Sequence, residues 1–112
     1  MDCIFCKIID GSIPSNKVYE DDKMLAFHDI DPQAPVHVVM IPKEHIESMN
    51  GIDDNNADII AHIFSKIPQI AKSLELDNGY RVVSNCGSDG RQSVFHLHFH
   101  LLGGKTLDTQ MA

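Results

Sequence analysis

Apolar positions change period several times along this chain, and each change predicts an element. Val18-Tyr19-Glu20 and Met24-Leu25-Ala26-Phe27 flank the turn residues Asp21-Asp22-Lys23, the pattern of two strands. Val36 to Ile41 is rich in β-branched residues and predicts a central strand stopped by Pro42. Between Asn56 and Leu74, residues Ile59, Ile60, Ile63, Ile67, Ile70, Ala71 and Leu74 recur at helical spacing and predict the longest helix. Pro68 is expected to kink or divide that helix, because its ring removes a donor and clashes with the preceding turn. Past Asn78-Gly79, Tyr80 to Ser84 predicts a strand, Asn85 to Gln92 a Gly-rich loop, and Val94 to Leu102 another strand. Cys3 to Asp10, ended by Gly11, predicts one or two helical turns, and Asp31-Pro32-Gln33-Ala34-Pro35 predicts a loop. Strands joined mostly by short turns, with one long helix, imply an α+β fold: an antiparallel meander sheet with the helix packed on one face.

The 112 residues suffice for a single domain, 1–112, and 43% hydrophobic content implies a packed core. Nine basic against sixteen acidic residues give a net charge of -7, which argues against a nucleic-acid polymer as partner. A single nucleotide remains compatible, since backbone N–H groups and imidazoles can hold its phosphate. No apolar stretch reaches membrane-spanning length, and the first residues lack the basic region and apolar run of a secretory signal. The expected location is the cytoplasm. The three cysteines, two of them in a C-x-x-C pair, fit a reduced compartment with thiols free or on a metal.

His96-Leu97-His98-Phe99-His100 is the most informative stretch. In a strand, side chains alternate, so the three imidazoles share one face, spaced roughly 7 Å apart. Phe95, Leu97, Phe99 and Leu101 share the other face and are expected against the helix. Three histidines in register point to chemistry more than to chance on a half-buried strand. His-x-His is also a zinc-ligand spacing, so a site in which all three take metal is a competing reading. Cys3 and Cys6 admit three readings: a redox pair, idle thiols, or half of a tetrahedral zinc site. No strand precedes Cys3, which disfavours the redox pair.

The run from His96 to Leu102 resembles the motif that names the histidine triad family. Phe27-His28-Asp29-Ile30, Pro35-Val36-His37, Ile41-Pro42-Lys43-Glu44-His45 and the run from Asn85 to Val94 resemble it too, so the likeness covers nearly the whole chain. It is nearest to the branch called histidine triad nucleotide-binding proteins. Leu102-Gly103-Gly104 fits that branch, whereas dinucleoside polyphosphate hydrolases more often continue with a proline and a basic residue.

The resemblance implies a hydrolase that cleaves nucleoside phosphoramidates or adenylates at the α-phosphorus. It makes His98 the nucleophile, with His37 and His100 donating to phosphate oxygens and Ser93 helping the leaving nitrogen depart. It places a purine nucleotide such as AMP near Phe27, Asp29 and Ile30, with Asp29 on the ribose hydroxyls and the two apolar residues about the base. Asn85, Gln92, Ser93 and Val94 line the same site. It further implies structural zinc on Cys3, Cys6, His45 and His96, and a homodimer. A nucleotide-binding module with vestigial catalysis is the alternative from another class. Cys86, His28 and His62 receive no role, and His62 is expected to be solvated. The tail from Gly103 to Ala112 departs from relatives that end in Trp and prolines.

Overall fold

A computed structural model describes residues 3–112. The strands Lys17–Glu20 (β1), Met24–His28 (β2), Val36–Pro42 (β3), Tyr80–Val83 (β4) and Phe99–Gly103 (β5) form one sheet in the order β1-β2-β3-β5-β4. Every neighbouring pair is antiparallel. The β1–β2 turn is tied by Asp21, whose Oδ1 accepts the N–H groups of Lys23 and Met24 at 2.8 and 2.9 Å.

β3 is the central strand, and its apolar run from Val38 to Pro42 follows from cover on both faces. On one face, Met24, Ala26, Val38, Met40, Phe99 and Leu101 pack with Ile63, Ile67 and Ile70 of the long helix Ala57–Ser73 (α2). On the other, Leu25, Phe27, Val39 and Ile41 pack with Cys3, Phe5 and Ile8 of the short helix Ile4–Ile9 (α1) and its cap. The α+β sheet with one main helix is therefore as expected, with α1 as a second, smaller cover.

Three expectations are corrected. Pro68 does not divide α2, which runs unbroken from Ala57 to Ser73. Buried isoleucines on both sides of the proline, Ile63, Ile67 and Ile70, hold both halves on the sheet, and that burial offsets the roughly 3 kcal/mol such a proline costs. The final strand begins at Phe99 rather than Val94. Continuing the β3–β5 register from the Met40–Phe99 pair would set Leu97 opposite Pro42, which has no N–H to give. The Leu97 N–H turns instead to the Ile46 carbonyl, at 2.6 Å. Phe95, upstream of the strand, is consequently 60% exposed and does not pack on α2. His62 is not simply solvated: its Nε2 lies 2.7 Å from Asp21 Oδ2 and ties α2 to the β1–β2 turn.

Candidate active site and metal cluster

Of the three histidines in the run His96 to His100, only His100 sits on a strand; His96 and His98 occupy the irregular approach to β5. The approach folds back enough to bring the rings together, with centroids 5.0 Å apart for His98–His100 and 5.0 Å for His37–His100. His37 comes from β3, the strand beside β5.

Hydrogen-bond partners fix the protons. His98 Nδ1 lies 2.7 Å from the His96 main-chain oxygen. A carbonyl only accepts, so Nδ1 carries the proton and Nε2 keeps a free lone pair. His98 is buried, and its ring packs edge-to-face with Phe5 at a centroid distance of 5.1 Å. The Gln33 main-chain N–H donates to His37 Nδ1 at 3.0 Å, which puts the His37 proton on Nε2. That Nε2 lies 2.8 Å from His100 Nδ1 and 3.5 Å from Asp29 Oδ2. Burial pushes both His37 and His100 below the ordinary imidazole value. His100, which also feels the charges of His98 and His37, falls to about 4. Both rings are neutral at pH 7.

The remaining expected residues divide into those that face outward and those spent within the protein. Ser93 is exposed and Val94 half-buried, at the mouth of the Gly-rich loop. Asp29 gives one oxygen to the Asp31 N–H at 2.8 Å and turns the other towards His37. Ile30 is fully exposed, whereas Phe27 is buried against Phe5 with centroids 5.7 Å apart. Asn85 Nδ2 donates to the Gly90 carbonyl at 2.7 Å. Gln92 is spent on its own loop: its Oε1 accepts the Gly87 N–H, and its Nε2 donates to the carbonyls of Glu47 and Val94. The loop closes tightly, since a Cβ on Gly90 would lie 2.4 Å from the Cys86 oxygen.

Phe5 escaped the sequence analysis. It touches Phe27, His96 and His98 at once, and its only signal was an aromatic ring between two cysteines on a short apolar helix. Gln33 escaped as well, because the group it contributes is its main chain.

A second cluster lies on the α1 side. Cys3, Cys6, His45 and His96 bring one ligand atom each to within 4.8 Å of one another. The closest edges are Cys3 Sγ–His96 Nδ1 at 3.3 Å, Cys6 Sγ–His45 Nδ1 at 3.3 Å, Cys6 Sγ–His96 Nδ1 at 3.6 Å and His45 Nδ1–His96 Nδ1 at 3.1 Å. A tetrahedral zinc site, with Zn–S about 2.3 Å and Zn–N about 2.0 Å, has edges of roughly 3.3 to 3.8 Å. The donor set fits in its electronics too. His96 Nε2 donates to the Pro42 carbonyl at 2.9 Å, so its Nδ1 lone pair faces the thiols. Burial and the neighbouring Cys3 push the Cys6 thiol up to about 11, so the Cys6 thiolate forms readily only beside a cation. The residues present therefore fit a zinc ion.

Known proteins share this fold. Residues 2–111 match the family model described as scavenger mRNA decapping enzyme C-term binding. A 14 kDa zinc-binding protein from Brassica juncea is 46% identical over 110 residues, covering 96% of each chain. Among solved structures, a histidine triad protein from Clostridium difficile superposes with a TM-score of 0.95 at 54% identity, covering 98% of this chain and 96% of its own. A HIT family hydrolase from Clostridium thermocellum gives 0.96 at 45% identity, covering 99% and 97%. A histidine triad nucleotide-binding protein from Candida albicans gives 0.82 at 38% identity, covering 99% and 85%. The chain belongs to the histidine triad family.

Proposed function

We propose that this protein is a hydrolase of nucleoside phosphoramidates or adenylates, working through a nucleotidyl intermediate on His98. The observation that carries the reading is the tautomer of His98. Its Nδ1–H is held by the His96 carbonyl, and its Nε2 lone pair is free for attack beside two neutral, mutually bonded imidazoles. The names of two relatives, a hydrolase and a nucleotide-binding protein, support the same class.

In the proposed reaction His98 Nε2 attacks the α-phosphorus and a P–Nε2 bond forms as the P–N bond to the leaving amine breaks. His100 donates its Nε2–H to a phosphoryl oxygen as charge develops there, and His37 supports it by donating its own Nε2–H to His100 Nδ1. Ser93 passes its hydroxyl proton to the departing nitrogen, which leaves as an amine, and regains a proton from the water that opens the intermediate. Water then opens the nucleotidyl-histidine, releasing a nucleoside monophosphate such as AMP and restoring His98. Asp29 has one oxygen unspent on main-chain N–H groups and is assigned to the ribose; Ile30, Asn85, Gln92 and Val94 shape the walls, with Phe27 beneath them. Cys3, Cys6, His45 and His96 would hold zinc as a cross-link between α1, the turn after Pro42 and the approach to β5, a structural role in which the protein would supply all four ligands. The working unit in this reading is a cytoplasmic homodimer, supported by Phe64 of α2 and Tyr80 of the edge strand β4, which are 46% and 42% exposed.

The test is turnover of adenosine 5′-phosphoramidate, with acid-quenched protein searched for AMP on His98. His98→Ala is expected to abolish turnover while AMP affinity stays within about tenfold, because the nucleophile adds little ground-state binding. A variant that keeps a substantial share of the rate would remove His98 from this role.

A further inference from the structure

We propose that the main-chain N–H of Gln33 sets the proton positions of His37 and His100, and so makes this pair a one-way donor to an oxyanion. Gln33 is a positioning residue, acting through His37. The claim that the anion is a phosphate rests on the function proposed above; the proton positions do not.

Two hydrogen bonds in series run from the loop to His100. An amide N–H can only donate, so at 3.0 Å it forces His37 Nδ1 to be the acceptor. A neutral imidazole has one proton, which must then sit on His37 Nε2. That Nε2 is 2.8 Å from His100 Nδ1, so His100 Nδ1 accepts and the His100 proton is displaced to Nε2. His100 is only half-buried, and its Nε2–H is the one proton of the series with no protein acceptor among the described residues. Reversing the series would need Gln33 to accept at its amide, which it cannot do. With the opposite polarity His100 would turn a lone pair to the anion and repel it.

The surroundings hold the donor in place. Gln33 lies between Pro32 and Pro35, whose rings restrict the loop, and its side-chain Nε2 donates to the Asp31 carbonyl at 3.2 Å. Asp29 Oδ2, 3.5 Å from His37 Nε2, attracts the same proton and reinforces its placement there.

Polarity also decides what this cluster is not. Asp29, His37 and His100 bring ligand atoms to within 4.8 Å of one another, close enough to suggest a metal. Coordination through His37 Nε2 would require its proton to move to Nδ1, where it would face the Gln33 N–H.

Nitrogen-15 spectra of histidine-labelled protein without nucleotide, at pH 7, read the tautomers directly. The wild type is expected to show His37 and His100 both protonated at Nε2 alone. Gln33→Pro deletes the donor and is expected to leave His37 a mixture of tautomers and to weaken AMP binding about tenfold. Gln33→Ala keeps the N–H and is expected to restore both. An Nδ1–H signal from either ring of the wild type overturns the proposal, and this reading needs no variant to fold. So does a folded Gln33→Pro protein with wild-type tautomers. If AMP fails to bind the wild type, the phosphate reading of the pocket falls, and the wild-type spectrum alone decides the proton positions.

Discussion

Two groups of imidazoles sit a few residues apart, and they are wired in opposite senses. In the Cys3–Cys6–His45–His96 group, the outer nitrogen of His96 gives its proton to the Pro42 carbonyl, and its lone pair faces inward. In the Asp29–His37–His100 group, an amide N–H occupies the outer nitrogen of His37, and the proton faces inward. Both groups are compact enough to look like metal sites. The difference is a single main-chain partner: a carbonyl outside makes a cation ligand, and an N–H outside makes an anion donor. Proximity of ligating side chains is thus insufficient to define a metal centre, and the partner behind each ring decides.

The sharpest way to break this comparison is to remove one group and ask what survives. Cys3→Ser with Cys6→Ser is expected to take zinc content from about one per chain to nearly none. It is expected to lower the melting temperature on the order of 10 °C, since an ion held there would join segments far apart in sequence. Activity measured in the cold should largely survive, reduced only as far as His96 loses its anchor. Elemental analysis beside a thermal melt checks this; a metal-free variant that melts like wild type would refute the cross-link.

Damage to the other group is expected to give the inverse result. His100→Gln should keep the metal and the melting temperature while slowing turnover by roughly one to three decades, the usual loss for one transition-state donor. Ser93→Ala should slow amine departure by a similar factor, read in single-turnover kinetics where chemistry limits. Loss of zinc from His100→Gln would merge the two groups into one.

Smaller effects follow from the protons. His100 has a folded value of about 4 against 6.5 for the ordinary group. As pH falls below 6.5 the unfolded chain takes up the proton first, so this group's contribution to stability is full above 6.5 and is lost between there and about 4. Denaturant titrations at pH 7 and pH 5 should show a fall that is shallower in His100→Gln than in wild type. The smallest change is expected at Asp21, outside both groups. Burial would raise its carboxyl, but bonds from the Lys23 N–H, His62, Tyr19 and the Met24 N–H hold it well below the usual range. Its stabilisation is present above pH 3.8 and lost as pH falls through the depressed folded value. Asp21→Asn should cost about 1–3 kcal/mol in denaturant at pH 7, with zinc content and turnover unchanged.

Local patterns carried the elements, and long-range partners decided the rest. The Val36–Ile41 run and the Asn56–Leu74 periodicity translate into β3 and α2 within a residue or so, because burial of their own side chains stabilises them. The stretch before Phe99 was misread as strand because its alternation is real, while the obstacle is Pro42, more than fifty residues away in sequence. His62 looked solvated because its partner, Asp21, belongs to a distant turn. Cys3 and Cys6 were visible as half of a metal site, whereas His45 and His96 entered only through resemblance; nothing local marks ligands 39 and 93 positions away from their sulfur neighbours. Gln92 resembles a ligand-lining residue in sequence, but its amide is spent bracing the loop, one of its partners being the Glu47 carbonyl, 45 positions away.

His98 and His37 each owe the placement of their proton to a peptide group, the carbonyl of His96 and the amide of Gln33. Every one of the common amino acids retains that carbonyl, and all but proline retain that amide. Point mutation at position 96 can therefore strip the Cys3–Cys6–His45–His96 cluster of a member without touching the acceptor behind His98, and position 33 can drift through almost any side chain. The reactive protons are encoded in the path of the chain, and the identities of the residues along it are free to change for other purposes.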